Sequence, residues 1–216
     1  MKFLSPDSKV TLFLTKVADM MILNILFIIS CIPVFTLGAA ITALYRTVME
    51  YEKPKAQGLI KLYFCEFRRN FKKATLLFLI LLVPVAITLY EAVFYLIGTE
   101  KVSSLSAFIF LFPLFIVTGI VSYVYPLQSK FENTIKNTLR NAFIMVWIHL
   151  PITAILVAVN LLLPALMFLS TQFFLKISVF WLLIGFSLQC ELNSIFLLKV
   201  FKKYYDEPVD EDDFSV

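Results

Sequence analysis

Charge is what this chain has least of. Asp, Glu, Lys and Arg make up 16% of its 216 residues, against about 25% in an ordinary soluble domain. Glycine is sparse at 5 and proline stands at 9, which excludes a collagen-like repeat and a Gly/Pro-rich disordered chain. Histidine occurs once, at His149, so a His-rich metal centre is excluded. The three cysteines, Cys31, Cys65 and Cys190, are far apart and form no CxxC or Cys/His group. Neither a disulfide framework nor a zinc site is supported, and they read as small apolar fillers. GxSxG, HExxH, Walker and GxGxxG signatures are missing, and no Asp/Glu pair recurs at a glycosidase spacing. The expectation is a protein without catalytic residues, cofactor or metal.

Apolar residues fill the space. The hydrophobic share is 60%, Phe alone counts 23, and mean hydropathy is +0.88. That composition excludes a soluble globular domain and places the chain in a membrane. A bilayer core about 30 Å thick takes roughly 20 helical residues to cross. Five stretches are long enough, at about 17–44, 74–97, 104–126, 142–165 and 174–199. They are continuous apolar runs, which excludes a β-barrel. The first is too long for the h-region of a signal peptide and reads as a retained span. The expected fold is an all-α polytopic helix bundle, one integral membrane domain over residues 1–216. Its end, 206–216, is acidic through Asp206, Glu207, Asp210, Glu211, Asp212 and Asp213, and reads as a flexible, solvated tail.

The cations set an orientation. With five spans, the first and third loops and the C-terminal end share one face, which collects fourteen Lys and Arg against five on the other. The positive-inside rule makes the richer face cytoplasmic, with the N-terminus outside and the C-terminus inside. Two basic loops read as amphipathic interfacial helices. Ile60, Phe64, Phe67 and Phe71 share one face of the first, with Glu66, Arg69 and Lys73 opposite; Leu127, Phe131, Ile135 and Leu139 repeat in the second. Arg68, Arg69, Lys72, Lys73, Lys136 and Arg140 are the expected contacts to anionic lipid. Nucleic acid is not an expected partner, since these cations sit beside spans. The loops also hint at a parallel repeat. Phe67, Phe71 and Ala74 lead into a span with Pro84, as Ile135, Leu139 and Ala142 lead into one with Pro151.

Three stretches then resemble a known family. They are Ile32-Pro33-Val34-Phe35-Thr36-Leu37-Gly38-Ala39-Ala40 with Thr42-Ala43-Leu44-Tyr45; Phe67-Arg68-Arg69-Asn70-Phe71-Lys72-Lys73-Ala74-Thr75; and Tyr125-Pro126, Phe131-Glu132-Asn133-Thr134 and Asn137-Thr138-Leu139-Arg140-Asn141-Ala142. In this order they resemble the YesL family of bacterial integral membrane proteins, whose function is unknown. The resemblance implies a multi-pass protein of the bacterial plasma membrane. Members are often encoded beside carbohydrate-uptake transporters, which implies a sugar-transporter permease as a partner. It carries over no catalytic residue.

Polar residues inside spans are functional candidates by default. His149 and Glu191 fall at similar depth, roughly 10–12 Å from the cytoplasmic ends of the fourth and fifth spans at 1.5 Å per residue. They are the expected buried polar pair. Asp19, Glu91 and Lys176 are expected to gather at the outer face. Pro33, with Thr36 and Gly38, marks the expected broken or re-entrant segment of the first span. No two glycines are four apart, so no GxxxG dimer motif exists. Two functions stay open: a non-catalytic accessory or regulatory component associated with carbohydrate uptake, and a small transporter or channel, alone or as an oligomer. A polar cavity at the midplane, lined by Asn24, Asn160, His149 or Glu191, separates the second from the first.

Overall fold

A computed structural model describes residues 9–51, 58–97, 104–165 and 171–204. The acidic tail lies outside them. The described residues hold helices and no strand: α1 (Lys9–Ser30), α2 (Leu37–Glu50), α3 (Leu59–Ile97), α4 (Ser104–Lys130), α5 (Ile135–Ile148), α6 (Leu150–Ala165), α7 (Thr171–Phe180) and α8 (Phe186–Phe201). Four segments are long and apolar enough to cross a membrane: 9–30, 59–94, 108–130 and 176–201. A fifth arises if α5 and α6, bent by 105° where they join, count as one.

The first expected span is two helices. Pro33 has no N–H to continue the α1 ladder and disfavours a helical Ile32 before it. The backbone at Pro33 is extended, at φ −78° and ψ 108°. One short 3-10 turn, Val34–Thr36, then leads into α2. The Thr36 hydroxyl lies against the carbonyl oxygens of Ser30 and Pro33, and its one proton serves the carbonyls that the break leaves open. The chain then doubles back, since Tyr51, just past α2, donates to Asp19 in the middle of α1.

Small residues let α2 sink into the bundle. Gly38, Ala39, Ala40, Thr42, Ala43 and Thr47 are all buried. Gly38 lies close against α3: a Cβ there would stand 2.2 Å from the carbonyl oxygen of Ala74. Small residues at helix contacts permit such proximity where lipid supplies no hydrophobic drive. The first loop helix and the second span form one continuous α3, which runs on through Pro84.

Contacts along α1 and α8 fall in reverse order. Lys16 meets Glu191, Met20 meets Ser187, and Asn24 meets Trp181 and Leu182. The two helices are antiparallel, so Lys9 and Phe201 lie at the same end of the bundle. This departs from the five-span expectation, in which the first and last spans run parallel and the chain ends on opposite faces. The reason is α2: its 14 residues turn back alongside α1, a return that a hydropathy profile merges into the first span.

Between α7 and α8 the helix widens into one π turn, Trp181–Gly185. A π turn leaves backbone groups without their usual partners. Asn24 takes them up, donating from Nδ2 to the carbonyls of Trp181 and Leu182 at 2.9 and 2.8 Å. Its Oδ1 accepts the Ser187 N–H at 3.1 Å.

Candidate functional site

The polar residues of the interior converge on α6 and α8. Asn160 is the hub. Its Nδ2 donates to Ser122 Oγ at 2.7 Å, and its Oδ1 accepts from Gln189 Nε2 at 2.7 Å and Asn193 Nδ2 at 2.8 Å. Asn193 Nδ2 also donates to Tyr45 Oη at 3.1 Å. The cluster joins α2, α4, α6 and α8. Asn193, Ser122 and Tyr45 are buried, and Asn193 Oδ1 accepts no hydrogen bond.

This cluster forms one wall of a cavity of about 360 Å³. The remaining walls are mostly apolar, from Phe27, Leu37 and Ile41 across to Val85, Leu114 and Val117, with Thr88 and Thr118 among them. No Asp, Glu, Lys, Arg or His lines it. Leu89 and Phe186 line it and are exposed, so it opens sideways at their level. Toward the other end of the bundle it stops. Leu127 follows the cavity on α4, and Leu197, Val200 and Phe201 follow it on α8; all four are essentially fully buried. Phe201 packs edge-on against Phe131. The four buried side chains stand between the cavity and the ends of α4 and α8, next to buried Gln128 and Ser129.

The expected His149–Glu191 pair does not form. His149 Nε2 lies 3.0 Å from Tyr204 Oη, and Glu191 pairs with Lys16. The equal depths assumed a straight fourth span, but the helix breaks at His149, whose backbone (φ −113°, ψ 43°) leaves the helical region. Pro151 sits in the first turn of α6, where its missing N–H is harmless. Thr153 Oγ1 donates toward the carbonyls of Val146 and His149 at the bend, at 3.1 and 3.0 Å, and the His149 carbonyl also accepts the Thr153 N–H. Nor does Asp19 join Glu91 or Lys176, since it holds Tyr51 instead.

Pro33, Thr36 and Gly38 occupy the α1–α2 break as described above, and Gly38 serves packing against α3. The expected lipid contacts, Arg68, Arg69, Lys72, Lys73, Lys136 and Arg140, are all exposed. Lys73 Nζ donates to the Asn133 carbonyl at 3.2 Å, tying the start of α3 to the loop after α4. On α3 the expected apolar face is split: Phe67 and Phe71 are half-buried, and Phe67 packs on the core. Ile60 and Phe64 are 51% and 48% exposed, while Glu66 is 4% exposed. Glu66 faces inward because partners wait there: Arg69 at 3.1 Å and Asn70 at 3.2 Å. Asn70 Oδ1 accepts from Gln128 Nε2 at 3.2 Å, and Thr138 donates to Gln128 Oε1 at 3.3 Å.

Residues 20–92 match a family model described as a protein of unknown function, DUF624. The match spans the later part of α1, the break, α2 and most of α3, so it contains the Gly38–Ala74 contact. No curated protein and no solved structure matches the chain.

Proposed function

We propose that this chain is a non-catalytic accessory or regulatory component of the bacterial plasma membrane, of the YesL type, associated with carbohydrate uptake. The observation that carries this reading is the closed interior. Asn160, Ser122, Gln189, Asn193 and Tyr45 bond one another, no charged group lines its cavity, and Leu127, Leu197, Val200 and Phe201 stand between the cavity and one end of the bundle. A transport path needs a polar route from face to face, and Asn24, His149 and Glu191 lie off the cavity. The three stretches resembling YesL support the family assignment, as does the domain match, which YesL-type proteins carry. Association with sugar uptake rests on that resemblance alone.

The basic end supports a cytoplasmic orientation. Lys2, Lys53, Lys55 and Lys101 lie outside the described residues; of the other fifteen Lys and Arg, only Lys176 lies toward the opposite end. Lys130 and Phe131 reach Phe201, Lys73 reaches Asn133, and Arg46 reaches Ser129, which brings the relevant helix ends together. We place this end in the cytoplasm, against anionic headgroups, with the outer ends of both α1 and α8 on that side.

The test is copurification from native membranes in mild detergent with mass spectrometry. Stoichiometric recovery of sugar-transporter permease subunits is the expected result. Recovery of the chain alone, or only with itself, overturns the accessory role. Solute flux in liposomes would then establish the transporter alternative, for which the α1–α2 break speaks.

A further inference from the structure

A second hollow lies where the start of α3 meets the end of α4. It holds about 120 Å³ and is lined by Arg69, Asn70 and Lys73 of α3 and by Gln128, Lys130 and Glu132 at and beyond the end of α4. Its floor is neutral, since Asn70 and Gln128 are buried and bond each other. Its rim is charged and reachable: Arg69 and Lys73 are exposed and Lys130 is half-buried. Three cations thus face one carboxylate, the exposed Glu132. Glu66 takes up part of Arg69, at 3.1 Å. Lys73 has no carboxylate partner among the described residues, and its Nζ donates to the uncharged Asn133 carbonyl. Arg69 and Lys73 are four residues apart on one helix, a spacing at which like charges repel, and Lys130 adds a third from α4. An anion in the hollow relieves that repulsion and accepts charge-assisted hydrogen bonds. The space equals about four waters at roughly 30 Å³ each, room for a phosphate group and little more.

The surroundings point to a lipid as the source of that phosphate. Arg69 and Lys73 also line a hollow on the outer side of α3, together with Phe67, Phe71, Arg68 and Lys72. The two hollows share those two cations, so an anion held by them has an aromatic surface beside it. Phe67 and Phe71 are half-buried, with ring centroids 5.6 Å apart. Phe78 and Leu82, two and three turns on from Phe71, keep the same side of α3; Phe78 is half-buried and Leu82 is exposed, in the stretch apolar enough to cross the membrane. A free phosphate ester makes no use of that surface, whereas acyl chains lie along it. A choline or ethanolamine head would bring its own cation against Arg69 and Lys73, which like-charge repulsion disfavours.

We infer that the phosphate of an anionic phospholipid seats between Arg69, Lys73 and Lys130, with its acyl chains along Phe67, Phe71 and Leu82. Of the six cations expected from the sequence to meet lipid, only Arg69 and Lys73 belong to this site, and Lys130 was not among the six. The inference deepens the headgroup placement proposed above and rests on it, but not on the accessory role. Reporters fused to the chain ends read sidedness and the titration below is blind to it, so the two fail separately.

The experiment titrates the full chain, in mild detergent, with phosphatidic acid or phosphatidylcholine and reads retained lipid by native mass spectrometry. One phosphatidic acid is expected to be held about tenfold tighter than phosphatidylcholine. Lys73→Met and Lys130→Met are each expected to weaken it about fivefold. Lys136→Met and Arg140→Met, which remove exposed cations that do not line the hollow, should change it by less than about twofold. Glu132→Gln removes the carboxylate on the rim and should strengthen binding. Among the described residues the Glu132 side chain holds no ion pair, so this variant keeps the test open if a lysine variant fails to fold. Millimolar inorganic phosphate should leave the lipid bound. Equal retention of the two lipids, equal losses in the four cation variants, or unchanged binding in Glu132→Gln overturns the inference. Displacement by inorganic phosphate also overturns it and assigns the hollow to a free phosphate.

Discussion

Gly38→Ala adds one methyl group where α2 lies directly against the α3 backbone. Its Cβ would stand 2.2 Å from the Ala74 carbonyl oxygen and 2.8 Å from Phe78 Cβ, where ordinary contact begins near 3.4 Å. The nearest obstacle is backbone, so no rotamer change relieves it. The two helices must move apart by about 1 Å, and a gap of that size forfeits a quarter to a half of each dispersion contact along the seam. Overpacking of this kind costs about 1–3 kcal/mol. Alanine returns up to about 1 kcal/mol of helix propensity, less in the first turn of a helix, where Gly38 lies. The net loss is about 1–2 kcal/mol, or a melting temperature lower by about 3–6 °C for a chain of this size. Gly119→Ala is the matched comparison. Its Cβ meets Thr153 Cγ2 at 3.1 Å and Val146 Cγ2 at 3.2 Å. These are side-chain methyls rather than backbone and the overlap is smaller, while Gly119 is mid-helix, where the propensity gain is fullest. Gly119→Ala is expected to lower the melting temperature less than Gly38→Ala does. Thermal unfolding in detergent, followed by tryptophan fluorescence, reads both. If Gly38→Ala melts with the parent, α2 does not approach α3 as described, and the argument fails.

Asn24→Leu strands the Trp181 and Leu182 carbonyls and the Ser187 N–H; a loss of about 2–4 kcal/mol is expected in the same melts, from several buried bonds at once. Gln128→Leu unties Asn70 from Thr138 and should cost about 1–3 kcal/mol, whereas Gln128→Glu should be tolerated less well than an exposed Gln→Glu change because the site is buried. For Lys16 and Glu191, a cycle of Lys16→Met, Glu191→Gln and the double variant should show coupling of about 0.5–1 kcal/mol, modest because Lys16 is 38% exposed and screened by solvent. Export-dependent reporters fused before Lys9 and after the last residue should give the same sidedness; opposite readings would remove the antiparallel placement of α1 and α8.

Hydropathy made the helices legible because each crossing buries or lipidates a long apolar run, and 74–97 and 104–126 lie inside α3 and α4. It missed α2 as a separate helix that turns back. Gly38, Ala39, Ala40, Thr42 and Ala43 are apolar enough to extend a span, yet they are buried against protein. The helical wheel of the α3 start placed Arg69 and Lys73 on the exposed side but misplaced Glu66. A wheel scores Glu66 as outward, but in a bundle a carboxylate can face inward when Arg69 and Asn70 serve it, while Ile60 and Phe64 face outward. The His149–Glu191 pair rested on helix length alone. Pro151, two residues on, was the local signal that the fourth span bends. The Asn160 hub could be reached from sequence only as a set of polar residues within apolar runs; which of them meet depends on that bend.

The hint of a repeat finds a physical counterpart in Gln128. Aligning Phe67, Phe71 and Ala74 with Ile135, Leu139 and Ala142 places Asn70 opposite Thr138. These are the two residues that bind the two ends of the Gln128 amide, Asn70 at Nε2 and Thr138 at Oε1. Ala74 and Ala142 are both fully buried one turn further on. Equivalent positions in α3 and α5 thus grip one side chain of α4 from two sides, which is what two copies of one unit packed around a shared helix would do. Beyond the grip the units part company. The α3 helix continues through Pro84 with Thr88 donating toward the Pro84 and Val85 carbonyls, whereas the second turns through 105° at His149. The bend sends α6 across the bundle and carries Asn160 to Gln189 and Asn193. On this reading the cavity exists because the second unit bends where the first runs straight.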